Sequence, residues 1–355
     1  MRGTTNRRPA SRLLAVVGVL TSFALLTSSG PALAGDRGGR GDRHEAGRGS
    51  YTFAVIGDIP YGDAQVAQFP QVVNQINADP DVRLVNHLGD IKNGSSVCSD
   101  AYFNRIRTQF DRFADPLVYT PGDNEWTDCH RPNNGAYDPL ERLQAVRSTF
   151  FDEPGASLGR RPVRLDSQAR EGYPENVQYR RAGVSFGVAH VVGSNNALAP
   201  RTGQTAPTPE QSAEVLGRTA ASIELIRDTF AGARQHRDRA VVIMMQADMF
   251  DPTVTDPQYA NSFAFTPIVR ALAQESRDFD GPVYLFNGDS HVYNDDRPLA
   301  ARSPWVDFYG VDRPAPNLRR VTVDGSDNNA DYLKVTINQR KRGGVLSWTQ
   351  VPYTG

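Results

Sequence analysis

Five times in this chain an apolar run stops abruptly at a polar loop that carries an acid, and this repeated junction limits the fold more than any other feature. Residues 52–56 run into Gly57-Asp58, residues 83–88 into Gly89-Asp90, and residues 117–120 into Pro121-Gly122-Asp123-Asn124-Glu125. Residues 240–245 run into Gln246-Ala247-Asp248, and residues 283–286 into Asn287-Gly288-Asp289-Ser290-His291. Short runs of Val, Ile, Leu and Phe that end at glycine describe strands buried on both faces. Helical spacing lies between them. Residues 64–77 place Val66, Phe69, Val73 and Ile76 on one face, residues 102–113 repeat the pattern, and residues 218–233 carry Ala220, Ile223, Ile226 and Phe230. Strands alternating with helices predict a layered α/β fold with its ligands at the strand ends. Residues 318–323, 332–338 and 345–351 are strand candidates between turn-rich loops and predict a series of antiparallel hairpins closing the sheet.

A single Gly-Asp after a strand is a turn and a helix cap. Four of them, with Gln-Ala-Asp as a fifth junction, predict more. If the strands share a sheet and a direction, Asp58, Asp90, Asp123 and Asp289 converge at one rim. Packed carboxylates repel one another and raise each other's pKa, and a divalent cation is the simplest way to keep them ionised. Oxygen donors from Asp, Asn and Gln favour Mg²⁺, Mn²⁺ or Ca²⁺, and His291 adds one nitrogen. The net charge of −1 gives no electrostatic case for nucleic acid. Neither a Walker-type phosphate loop, nor a Gly-x-Ser-x-Gly elbow, nor a Cys-based metal pair is present.

In order and spacing, Gly57-Asp58, Gly89-Asp90, Gly122-Asp123-Asn124-Glu125, Gln246 and Gly288-Asp289-Ser290-His291 resemble the motifs of the calcineurin-like metallophosphoesterases. The resemblance covers nearly the whole chain after residue 50, and it is to a divergent, secreted bacterial member. It implies a two-sheet sandwich flanked by helices, four layers in the order αββα. It also implies two metals that share a bridging aspartate and activate a water for attack on phosphorus. Carried over residue by residue, Asp58, Asp90 and His291 would hold one metal, and Asp90, Asp123, Gln246 and Asp289 would surround the second. The implied partner is a phosphate mono- or diester or another phosphorylated small molecule.

The departures from the family pattern bear on chemistry. Pro60 stands where the first motif has His, Asp123 where the next has its metal-binding Asn, and Asn124 where it has the His that assists the leaving group. Gln246 replaces a His ligand, and Asp289 replaces the first His of Gly-His-x-His. Exchanging imidazoles for oxygen donors moves the expected metal, one or two ions, away from Zn²⁺. Asn124 has no proton to give, and His130, just past the same loop, is the candidate replacement acid. The alternative reading is a weak or inactive relative that binds metal or a phosphorylated ligand.

Other residues are assigned by position. His87 and His190 fall inside strand runs as core residues, Lys92 stands at the surface or faces a phosphate, and Tyr61 and Trp126 shape the site or pack. Asn195 and Asn196 follow a strand at residues 184–192 and line the cleft or form a turn. Asp324-Gly-Ser-Asp327-Asn-Asn-Ala-Asp331 is acidic enough to suggest calcium, but its spacing is not that of an EF-hand loop, and it reads as a hairpin loop. The chain has two cysteines. Cys98 and Cys129 follow Asp90 and Asp123, so loops that emerge side by side would bring them together as a disulfide.

The N-terminus reads as an export signal. Arg2, Arg7, Arg8 and Arg12 precede an apolar run at residues 13–26, followed by Ala32-Leu33-Ala34. This is a small-x-small cleavage pattern, and the run is too short for a stable membrane span. Residues 35–50, rich in Gly and Arg, read as a flexible linker, and residues 51–355 as one phosphoesterase domain. Secreted protein is therefore expected to begin near Gly35. N-terminal sequencing that returned Met1 would contradict cleavage.

Overall fold

Side-chain alternation along the first strand sets the layering. Phe53 and Val55 enter one apolar cluster, while Ala54 and Ile56 enter another on the opposite face, as a strand buried on both sides requires. The computed structural model describes residues 50–259, 261–338 and 344–354. The predicted leader and the linker up to residue 49 lie outside the described residues.

The strands, in chain order, are β1 (Tyr51–Ile56), β2 (Val82–His87), β3 (Leu117–Tyr119), β4 (Asp166–Gln168), β5 (Tyr173–Arg181), β6 (Val184–Val188), β7 (Ala240–Met244), β8 (Val283–Asn287), β9 (Asn294–Asp296), β10 (Leu318–Thr322), β11 (Asp331–Ile337) and β12 (Leu346–Pro352). They form two mixed sheets. One has the order β12-β11-β1-β2-β3, the other β4-β5-β6-β7-β8-β10-β9. In the first, β1, β2 and β3 are parallel, and β11 and β12 are antiparallel additions. In the second, β6, β7, β8 and β10 are parallel, with antiparallel strands at both edges.

Between the sheets lies a core that includes Phe53, Val55, Leu84, Phe186, Val242 and Phe286. The outer face of the first sheet is covered by helices Gly62–Ala78, Asp100–Phe110 and Pro139–Phe150, and that of the second by Pro209–His236, Thr266–Arg277 and Pro304–Phe308. The result is the helix-flanked two-sheet sandwich that the resemblance implies. The helices are started by local chemistry. Ser99 and Asp138 cap two of them, and Thr208 with Gln211 forms a capping box on the longest.

Several expectations change. The acid-bearing strands do not share a sheet: β1, β2 and β3 belong to one, β7 and β8 to the other, and their ends meet at a common rim. Residues 318–323 do not join a C-terminal hairpin series, because β10 pairs parallel to β8 in the second sheet, and only β11 and β12 form a hairpin. The acidic stretch 324–331 is accordingly a crossing from one sheet to the other rather than a hairpin loop. The strand expected at 184–192 ends at Val188. The helix Pro139–Phe150, whose Leu143, Val146 and Phe150 recur at helical spacing on its buried face, and the polar strands β4 and β5 are not among the elements expected from the sequence.

Phe53 binds the sheets together, its ring 5.5 Å from Phe186 and 6.4 Å from Phe286 between centroids. Phe53→Ala should cost about 3–5 kcal/mol, measured by denaturant unfolding. A loss below about 1 kcal/mol would mean that the sheets are not packed through this ring.

Candidate metal centre

The rim is built by interlocking junctions. Asp58, Asp90 and Asp289 all take the left-handed backbone conformation, with φ of 53°, 55° and 74°, and so does His291 at 61°. Aspartate tolerates that region better than most residues, and none of these three caps a helix. The glycine of one junction makes room for the acid of another. A Cβ on Gly122 would stand 2.0 Å from Asp90 Oδ1, and one on Gly288 would stand 2.1 Å from Asp58 Oδ2. Backbone amides complete the lock: Asn124 N–H donates to Asp90 Oδ1 at 3.1 Å, and Asp289 N–H donates to both Asp58 oxygens at 3.1 Å.

Asp58, Asp90 and His291 each present a ligand atom within 4.8 Å of the others, and Asp90, Asp123 and Asp289 do the same. Asp90 is common to both groups. Asp58, Asp90 and Asp123 are buried. Burial, then Asp123 and Glu125, push the Asp90 carboxyl far above the usual carboxylate range. Burial, then Asp123 and Asp58, do the same to Asp289. Burial also raises Asp58, against the pull of His291, whose Nε2 lies 3.4 Å away. For His291, burial opposes the charged ring, but the contact and charge of Asp58 outweigh it and raise the pKa. Crowded oxygens with one imidazole are the donor set of a hard divalent cation.

Around the acids stands a shell of donors. Tyr61 O–H donates to Asp90 Oδ2 at 2.7 Å, and Asn124 Nδ2 donates to the same oxygen at 2.6 Å. Gln246 was expected as an oxygen ligand. In the structure the Gly193 N–H holds its Oε1 at 2.6 Å, and its Nε2 faces Asp289 Oδ1 at 3.1 Å and Asp123 Oδ1 at 3.3 Å. It thus steadies the second acid group as a donor. The Glu125 carboxylate accepts from the Asp90 and Gly122 amides and from the Tyr119 hydroxyl.

The remaining candidates divide. His130 is turned to Thr202, 2.8 Å from its hydroxyl. His87 and His190 are buried, bonded to the Ile59 carbonyl and to Glu175. Trp126 is buried in an apolar cluster. Lys92 is buried rather than exposed, its Nζ donating to the Asn93 and Asn124 carbonyls at 2.8 Å, and burial lowers its pKa to about 8. Asn195 and Asn196 form a left-handed turn that accepts from Ala264 and Arg218. Cys98 and Cys129 are joined in a disulfide, and both sulfurs lie 3.6 Å from the Asn124 carbonyl oxygen. Three residues escaped sequence reasoning as site components. Ser194 Oγ bridges Asp123 and Asp128 at 2.7 and 2.9 Å, and Asp248 N–H donates to Asp289 at 3.1 Å. Ser194 and Asp248 each follow an apolar run, the same signal that marked the other acids.

Residues 51–180 match the calcineurin-like phosphoesterase family model. No curated protein matches the sequence significantly. Three solved structures are similar at low identity. GAP50, the anchor in the inner membrane complex of Plasmodium, is 8% identical over 86% of this chain and 90% of its own, with a TM-score of 0.43. Purple acid phosphatase PPD1 from yellow lupin seeds is 10% identical over 81% of this chain and 49% of its own, with a TM-score of 0.43. The phosphopantetheinyl hydrolase of Mycobacterium tuberculosis is 12% identical over 84% and 96%, with a TM-score of 0.40. At these scores none of the three bears on what this chain does.

Asp128 gives the rim a readable pH signature. Burial, then Asp123, raise its pKa from 3.8 to about 7. A raised carboxyl contributes stability that is present below the unfolded value and lost as pH rises through the folded one. His87, lowered from 6.5 to about 4 by burial, slopes the opposite way, so the quantity to read is a difference. In chelator, wild type should lose stability relative to Asp128→Asn as pH rises from about 4 to about 7. Parallel curves in scanning calorimetry would contradict the assignment.

Proposed function

We propose, from the match of residues 51–180 to the calcineurin-like phosphoesterase family, that this chain is an exported, metal-dependent hydrolase of phosphate mono- or diesters. The observation that carries the reading is the pair of acid groups sharing Asp90. The crowded, buried carboxylates with His291 beside them suit Mg²⁺, Mn²⁺ or Ca²⁺, held by Asp58, Asp90 and His291 on one side and by Asp90, Asp123 and Asp289 on the other. Divalent cations bound there would polarise the phosphoryl oxygens and lower the pKa of a coordinated water.

The chain's own groups orient this assembly. Gln246 holds Asp123 and Asp289 through its amide N–H. Tyr61 and Asn124 both donate to Asp90 Oδ2, and the Asn124 amide also donates to the Tyr61 hydroxyl oxygen. The Cys98–Cys129 disulfide and Lys92 fix the Asn124 backbone from beneath. The Asn124 amide releases no proton, and His130 is engaged with Thr202. A leaving group must therefore depart without an imidazole acid, a contribution worth about 10²- to 10⁴-fold where it exists. That deficit also favours a second reading, a weak or inactive relative that binds metal or a phosphorylated ligand with little turnover. Export is supported by the leader-like N-terminal sequence and by the disulfide. Among the described residues no helix is long and apolar enough to cross a membrane.

With Mn²⁺ present, hydrolysis of an activated aryl phosphate should exceed that of an alkyl phosphate by about 10²-fold or more, and Asp90→Asn should remove it. Equal rates on both esters would mean another acid is at work. Absence of turnover with retained Mn²⁺ binding would select the second reading.

A further inference from the structure

The crossing from β10 to β11 reads Asp324-Gly325-Ser326-Asp327-Asn328-Asn329-Ala330-Asp331, and neither acid group of the rim includes any of its side chains. Beside it lies a small chamber of about 10 Å³, lined among others by Tyr293, Asp324, Asn329, Asp331 and Tyr353. That is room for a single water-sized occupant. Two of the lining side chains carry a polar atom sealed from solvent and without a hydrogen-bond partner, the Asn329 carboxamide oxygen and the Tyr353 hydroxyl. Buried polar atoms are almost always paired, so two orphans on one chamber call for an occupant.

Charge decides what kind. Asp324 and Asp331 are drawn together by the Gln350 amide, which donates at 2.8 Å to one and 3.0 Å to the other. Asp324 also accepts the Tyr293 N–H at 2.7 Å. Among the described residues no lysine or arginine is paired with either carboxylate, and nearby Lys334 is committed to Asp79 and Asp81. Burial, then Asp324, raise the Asp331 carboxyl, and burial, then Asp331, raise the Tyr353 phenol. A water would satisfy the two orphans and do nothing for the two half-exposed carboxylates beside them. A cation satisfies all four groups.

We propose that this chamber holds one calcium ion, bound by Asp324, Asp331 and Asn329 Oδ1 and closed by the Tyr353 hydroxyl. All four donors are oxygens. Calcium accepts irregular oxygen shells, whereas magnesium demands a near-ideal octahedron. Two carboxylates make a weak site, of the order of 10⁻⁴–10⁻³ M, the range of extracellular modules. The ion would stiffen a crossing that touches the rim: Ser326 N–H donates to the Asp58 carbonyl at 2.9 Å, and Asn328 Nδ2 donates to the His291 carbonyl at 2.9 Å. The site stands apart from the reaction proposed above and does not depend on it.

Calorimetric titration with calcium alone tests this on full-length secreted protein carrying Asp90→Asn, which disables the rim. One calcium per chain should still bind, and adding Asp324→Asn with Asp331→Asn should weaken it by at least about tenfold. Should that protein fail to fold by circular dichroism, Tyr353→Phe keeps the packing and removes one oxygen, and should weaken binding several-fold. Loss of all calcium binding on Asp90→Asn alone would overturn the proposal, as would unchanged affinity in the folded chamber variants. No binding at 10 mM calcium, about ten times the weak limit, would mean that the chamber holds only a water.

Discussion

Mutual repulsion among buried carboxylates is the constraint on which the rest of this structure depends. Asp58, Asp90, Asp123 and Asp289 fall into two close groups that share Asp90, with a single imidazole to offset them. Left to themselves they would be pushed toward the neutral form. The fold answers with N–H and O–H groups from every side: backbone amides of Asn124, Asp289 and Asp248, the side chains of Asn124 and Gln246, and the hydroxyls of Tyr61 and Ser194. The glycines serve the same end. Gly122 and Gly288 are bare so that a neighbouring carboxylate can approach the backbone, a purpose distinct from turning the chain. What these bonds leave is a surplus of negative charge of the kind a divalent cation would offset.

Because three of the acids come from one sheet and Asp289 and His291 come from the other, the rim exists only when the two sheets are docked. The hydrophobic core around Phe53 is therefore a precondition of the rim as well as of stability. The disulfide works within one half of the site, joining the loop after Asp90 to the loop after Asp123 and packing against the Asn124 carbonyl.

Strands β1, β2, β3, β7 and β8 and the acids after them were legible because buried strands are continuous apolar runs and a polar junction marks where each one stops. Asp58, Asp90, Asp123 and Asp289 were expected to converge as ends of one sheet; they converge instead where the ends of two sheets meet, and Cys98 and Cys129 meet as expected. Other features left no such trace. Nothing in the composition of residues 318–322 says which sheet β10 joins, since a strand's partner is a tertiary choice. Strands β4 and β5, at one end of the second sheet, carry mixed polar sequences. The orientation of the Gln246 amide depends on the Gly193 N–H, more than fifty residues away. Lys92 looked like a surface charge because no sequence pattern announces two buried carbonyls waiting for it.

The antiparallel pairing of β1 with β11 has a consequence for how such a chain comes into being. Tyr51 lies opposite Ile337, so β1 finds its neighbour on that side only in β11, far along the chain. Until then one edge of β1 stays open, a template for the wrong partner. Contacts of such long sequence separation also slow folding. The first sheet stays open on that side until the hairpin of β11 and β12 docks against β1.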